Sequence, residues 1–311
     1  MKVFTGKDYS SLYRDALKAC LDEGEYRTSR VGAVYDIGTA CFEIQSIDAG
    51  LPYVKGRGVN PFFALAELAW FYMGSNELSP LQYFIHNYDQ YSDDGISLYG
   101  AYGYRVRFKF DFDQLECVIN QLKVNPNSRR AVISFYTYND LEFLDSRDIP
   151  CNLSALFKIR NSRLDMTVFN RSNDVFKGIP YNFFLFRFLQ YLVAKRLDMQ
   201  LGVHRHITDS LHLYESDAAM VEHALKESCN TVENIVSLDL DVFDELINSA
   251  AEIHSRDWQN VPSERLRGLF LDYKLFRGTE GKDFFRQFDV SDILGIYIED
   301  WLATHHSKLQ P

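Results

Sequence analysis

The chain has 311 residues, 46% of them apolar and 15% aromatic, which is enough for a sizeable globular core. Its formal charge of −10, from 33 basic and 43 acidic residues, excludes general affinity for nucleic-acid backbones but leaves room for a local arginine pocket around a small anion. Cys20, Cys41, Cys117, Cys151 and Cys229 are widely spaced with no Cys-x-x-Cys, and no segment is long and apolar enough for a membrane span or a signal peptide, so free thiols, a cytoplasmic location and no membrane partner are expected.

No linker, repeat or low-complexity tract divides the sequence, so a single domain over 1–311 is expected. Leu12, Ala16, Leu17 and Cys20 mark one face of a helix over 8–21, ended by Gly24. Arg27-Thr28-Ser29-Arg30 reads as a polar turn, and 31–47 as strand, turn, strand. Residues 61–73 form a strongly apolar helix interrupted by one acid, Glu67, and 113–123 a shorter helix stopped at Asn125-Pro126. Segments 130–138, 152–159 and 164–170 look like strands, and 181–197 like a helix apolar nearly all round, hence buried. Segments 204–208 and 210–214 are ambiguous, and weak helices alternate with acidic loops beyond 217. The class is mixed α+β, a sheet packed against long buried helices.

Chemistry concentrates around Cys151. It follows Pro150 in a turn, with Arg129 and Arg130 upstream and Arg171-Ser172-Asn173-Asp174 downstream. A nearby guanidinium stabilises a thiolate, and several guanidinium forks converging on one site read as a phosphate cradle. The other four cysteines read as inert core thiols. Glu67, if withdrawn from water, would hold a proton near neutrality; facing solvent, it would be an ordinary acid. His204 and His206 are two apart on one face, yet they lack the thiolates or the His-Glu-x-x-His helix of a zinc site, so no metal is expected.

The spacing of Ser128-Arg129-Arg130, Pro150-Cys151, Arg171-Ser172-Asn173-Asp174, Gly178-Ile179-Pro180-Tyr181-Asn182 and His212-Leu213-Tyr214 resembles the thymidylate synthase superfamily, which includes the pyrimidine nucleotide hydroxymethylases. The resemblance is clearest over 27–214, whereas 218–311 is divergent. It implies a thymidylate synthase-like α+β fold with its sheet at the interface of a homodimer. It implies 5,10-methylenetetrahydrofolate as co-substrate and a pyrimidine nucleoside monophosphate as substrate. Cys151 would be the nucleophile toward carbon 6 of the base, Glu67 the organising acid, and Tyr99 a helper in removing the carbon 5 proton. Arg27, Arg171 and Ser172 would hold the phosphate, joined by Arg129 and Arg130 of the second subunit. His212 and Tyr214 would bind the sugar, Asp174 the pterin and Asn182 the base.

Several positions depart from the synthase pattern. Asn152 stands where a histidine usually follows the cysteine, Asn170 where a glutamine usually precedes the arginine, and Tyr88 and Tyr91 where tryptophans usually screen the folate. The usual ending, which closes over the folate, is replaced by an unrelated run from Asp300 to Pro311. These changes favour water over hydride as the group that reacts with the methylene, hence C5-hydroxymethylation. Asn182 favours uracil. Thymidylate synthesis proper, a CMP or dCMP hydroxymethylase, and an inactive nucleotide-binding relative stay open alternatives.

Overall fold

The structure is a computed structural model that describes residues 1–46, 48–229, 238–278 and 293–306. Among the described residues, ten strands form two sheets. The larger has the order β1 (Lys2–Gly6), β4 (Ala40–Ile44), β9 (Gln200–Thr208), β7 (Arg163–Asn170), β6 (Asn152–Arg160), β5 (Val132–Ser134). The smaller has the order β2 (Glu25–Ser29), β3 (Gly32–Asp36), β10 (Leu211–Tyr214), β8 (Asn173–Asp174). The chain is mixed α+β, as its patterning predicts. The segment read as a polar turn at Arg27 is instead strand β2, antiparallel to β3. Its residues are exposed, so it lacks the apolar alternation that marks a strand. The expected pair of strands in 31–47 does form, but β3 and β4 join different sheets.

Helix α1 (Tyr9–Glu23) starts at Asp8, whose carboxylate accepts from Ser11 N–H, and ends at Gly24. Helix α2 (Pro61–Tyr72) is capped by Asn60 and buried on nearly every side, with Glu67 its one half-buried acid before Tyr72. Helix α6 (Ile179–Arg196) lies against the inner face of the large sheet, where Leu164, Met166, Val168, Ala155 and Phe157 point inward. Because α6 is enclosed, its buried Arg187 must find partners. It donates to the Asp48, Ser46 and Gly202 carbonyls and to Gln190 Oε1.

The divergent C-terminal region is part of the same core. Helices α8 (Asp241–Ser255), α9 (Glu264–Gly278) and α10 (Ile293–His306) pack over α2, bringing Tyr273 to 4.5 Å and Trp301 to 5.5 Å from Phe62 between ring centroids. Asp300 accepts from Gly56 N–H at 2.6 Å and Gly58 N–H at 2.8 Å, tying α10 to the loop ahead of α2. This packing covers the Phe62 side of α2. The last five positions of the unrelated ending, 307–311, lie outside the described residues.

The outer face of the large sheet stays partly open. Cys41, Ile207, Phe169, Thr167 and Leu156 alternate with the buried inner residues and are only half-buried. Arg205 crosses this face, paired with Glu43 at 2.8 Å and Asp165 at 3.6 Å.

Candidate active site

Three strand ends assemble the site. Cys151 immediately precedes β6 and Arg171 immediately follows β7, and Arg171 N–H donates to the Cys151 carbonyl at 2.9 Å. The Arg171 guanidinium then folds back over the turn, donating to the Pro150 carbonyl at 3.1 Å and the Ile149 carbonyl at 2.9 Å. Asp209, just past β9, adds an N–H to the Asn170 carbonyl at 3.0 Å. The cysteine and the arginine are thus fixed against each other through the backbone.

Asn152 and Asn170 face each other across β6 and β7, and the Asn170 amide donates to Asn152 Oδ1. Both are buried on the inner face. The two departures beside the nucleophile are therefore one contact: a shorter amide on each strand keeps the buried pair bonded.

Burial and charge set the thiol. Removal from water pushes the Cys151 pKa above its ordinary value, the Arg171 charge pulls it down, and Asp148 pushes it up. Asp148, three residues before the cysteine, was not singled out from the sequence. It accepts from Gly100 N–H at 2.9 Å, and burial raises its pKa to about 7. Only the folded geometry shows that a surface-type Asp-Ile-Pro sequence turns inward here. Glu67 is raised to about 8 by burial alone, so the solvent-facing reading of this acid does not hold. Tyr88 lies within the fields of Glu67, Tyr91, Asp148 and Tyr102, so these groups are neighbours of its hydroxyl.

Tyr99 is engaged elsewhere. Its hydroxyl donates to Asp140 Oδ1 at 2.7 Å, and its ring lies 4.5 Å from the Arg105 guanidinium, itself in a buried ion pair with Asp140 at 2.9 Å. The tyrosine at the cysteine is Tyr102, at the start of α4 (Tyr102–Arg107): its hydroxyl accepts from Asn152 N–H at 3.4 Å, and the Cys151 charge contributes to its raised pKa. The dipeptide Tyr-Gly occurs at both 99–100 and 102–103, so sequence alone does not separate them.

The small sheet supplies a second wall. Its register places Asp36, His212 and Asp174 side by side, and Arg27, Val34 and Tyr214 in the next row but one. The His212 and Tyr214 rings are 5.3 Å apart. Asp174 Oδ1 accepts from Phe176 and Lys177 N–H at 2.8 and 2.9 Å, and burial raises its pKa. Asn182 sits in the first turn of α6, joined to Asn173. Arg27 is exposed and paired with Glu25 at 2.5 Å, while Ser172 is half-buried after Arg171. Arg129 and Arg130 are exposed ahead of edge strand β5 and make no ion pair among the described residues.

His204 and His206 are core residues. His204 Nδ1 meets Tyr9 hydroxyl at 2.9 Å and His206 Nε2 meets Asn173 Nδ2 at 3.1 Å. Among the described residues no group of three or more metal-ligating side chains converges, and no helix is long and apolar enough to cross a membrane.

A family profile described as "Thymidylate synthase" matches residues 11–259. A deoxyuridylate hydroxymethyltransferase of Bacillus phage SP01 is 34% identical over 230 residues, covering 70% of this chain and 60% of the phage protein. Another of Pseudomonas phage M6 is 35% identical over 218 residues, covering 69% of this chain and 62% of its own. A thymidylate synthase of Vesicomyosocius okutanii subsp. Calyptogena okutanii (strain HA) is 27% identical over 225 residues, covering 70% of this chain and 83% of the synthase. The aligned region thus spans about three fifths of the length of the two phage proteins.

Two outcomes follow from these acids. Glu67 holds its proton more tightly folded, at about 8, than at its ordinary 4.5, so its contribution to stability is full below pH 4.5 and is lost as pH rises toward 8. Glu67→Gln should therefore gain melting temperature over the wild type progressively across that window; a difference that does not change with pH contradicts the buried-acid assignment. For the thiol, alkylation of the Cys151 peptide by iodoacetamide, followed by mass spectrometry above pH 7, should speed up about threefold in Asp148→Asn and slow in Arg171→Ala. Unchanged rates in both would show that neither charge acts on the sulfur.

Proposed function

The chain belongs to the thymidylate synthase family, and on that premise we propose that it is a folate-dependent C5-hydroxymethylase of a uracil nucleoside monophosphate. The observation that carries the choice of water over hydride is the pair of hydroxyls that Tyr88 and Tyr91 bring where tryptophans usually screen the folate, with Tyr88 in the fields of Glu67, raised to about 8, and Asp148, raised to about 7. The similarity to two phage proteins named deoxyuridylate hydroxymethyltransferases supports the same reading.

In this mechanism Cys151 sulfur adds to carbon 6 of the base, and the displaced π pair makes carbon 5 nucleophilic. Methylenetetrahydrofolate, when bound, supplies the one-carbon unit. Tyr88 and Tyr91, with rings 5.3 Å apart and Tyr91 42% exposed, offer aromatic surface to a flat heterocycle, and Asp174 offers a carboxyl oxygen beyond the one its own turn uses. Tyr102 passes the carbon 5 proton outward, and the pair it leaves behind breaks the bond between the one-carbon unit and the folate nitrogen, releasing tetrahydrofolate and leaving an exocyclic methylene on carbon 5. Water then adds to the exocyclic methylene, its proton goes to Asp148 or Glu67, and the pair returned to the ring expels the sulfur and restores the 5,6 double bond.

Binding follows from the same walls. Arg171 and Ser172 hold the phosphate together with Arg27, His212 and Tyr214 hold the sugar, and Asn182 reads the base. Arg129 and Arg130 would reach the phosphate from a second copy, docked through the half-buried outer face of the large sheet, which makes the working unit a homodimer. The enzyme would act in the cytoplasm, with no nucleic-acid partner.

The test is product identity. With dUMP, CMP or dCMP and methylenetetrahydrofolate, the protein should release the carbon 5 proton and form a 5-hydroxymethyl nucleotide together with tetrahydrofolate, fastest from dUMP. A methylated nucleotide with a rise in dihydrofolate absorbance would restore thymidylate synthesis instead.

A further inference from the structure

Asn182 is the end of a bonded chain that runs into the core. Its Nδ2 donates to Asn173 Oδ1 at 3.1 Å, and Asn173 Nδ2 meets His206 Nε2 at 3.1 Å. His206 is fully buried on the inner face of β9, with its ring 5.5 Å from Phe183 and 5.6 Å from Phe186. Asn173 is also buried, and a Cβ at Gly178 would come within 2.8 Å of its Oδ1, so the glycine leaves that oxygen its place.

We infer that Asn173 and His206 are positioning residues that hold the Asn182 amide in one of its two orientations and so set the discrimination between uracil and cytosine. This inference rests on the nucleotide-site reading above. A carboxamide presents a donor on one side and an acceptor on the other. Uracil offers an acceptor at carbon 4 and a donor at ring nitrogen 3; cytosine offers the reverse. An untethered amide reads both bases by flipping. Bound as it is, Asn182 uses one N–H toward Asn173 and keeps its second N–H and its oxygen for the base. Flipping would set its oxygen against the Asn173 oxygen, two acceptors in contact. Asn173 could relieve that clash only by flipping as well, which requires a proton on His206 Nε2. Burial pulls the His206 pKa down to about 3, so at neutral pH the ring carries a single N–H; Nδ1 meets no partner among the described residues, so whether that proton sits on Nδ1 or Nε2 selects the orientation of the whole chain. The orientation at the base is therefore coupled to the place of one proton in the core.

Calorimetric titration of dUMP and dCMP into the full-length protein tests this without needing turnover. His206→Phe keeps the ring packing but removes the acceptor, and Asn173→Ala removes the link. Each should lower the ratio of the two affinities about tenfold, the worth of one well-made hydrogen bond. Asn173→Asp still accepts from Asn182 and should retain the wild-type ratio. Losses that are equal for both nucleotides in Asn173→Ala and His206→Phe, or a wild type that does not discriminate, would overturn the relay. Wild-type discrimination without turnover would instead sink the catalytic reading and leave the relay standing.

Discussion

The site depends on one backbone hydrogen bond, from Arg171 N–H to the Cys151 carbonyl, at the point where β6 begins and β7 ends. Strand pairing fixes the two residues within a few ångströms although twenty positions separate them, and no side chain has to be recruited for this. The guanidinium is then free to bind the turn carbonyls and to bias the sulfur electrostatically. Behind the pair, Asn152 and Asn170 close the inner face with a bond of their own. A change on either strand would have to be matched on the other, because a lone buried amide is left without a partner. That is the physical sense of the paired departures beside the nucleophile.

The second constraint is desolvation. Glu67 holds a proton because it is withdrawn from water, on the side of α2 where Tyr88 and Tyr181 pack against Phe63. Asp148, whose charge reaches the Cys151 sulfur, is raised by the same cause. Both acids lie in the field of Tyr88, and groups that titrate near neutrality are suited to moving protons to and from water, where an apolar screen would suit hydride.

Much of this was legible in the sequence. The apolar run interrupted by Glu67, the strands read over 152–159 and 164–170 ahead of Arg171, and the enclosed helix read over 181–197 and found at Ile179–Arg196 follow from periodicity, because each has one dominant environment. What periodicity could not supply was pairing between distant segments. The exposed strand β2 carries no alternation, the choice between Tyr99 and Tyr102 rests on which hydroxyl Asp140 captures, and Asp148 looks like an ordinary loop acid until Gly100 binds it. His206 likewise reads as a spare ligand until Asn173 is seen against it.

The covalent bond from Cys151 to the base is the claim on which the rest stands. It is tested most directly by incubating the protein with 5-fluoro-dUMP and methylenetetrahydrofolate. Fluorine cannot leave carbon 5 as a proton does, so the adduct should persist. Peptide mass spectrometry should find the nucleotide attached to the Cys151 peptide, and no adduct in Cys151→Ser. A wild-type protein that binds the analogue without any covalent adduct, or one that carries it on another residue, would contradict the account.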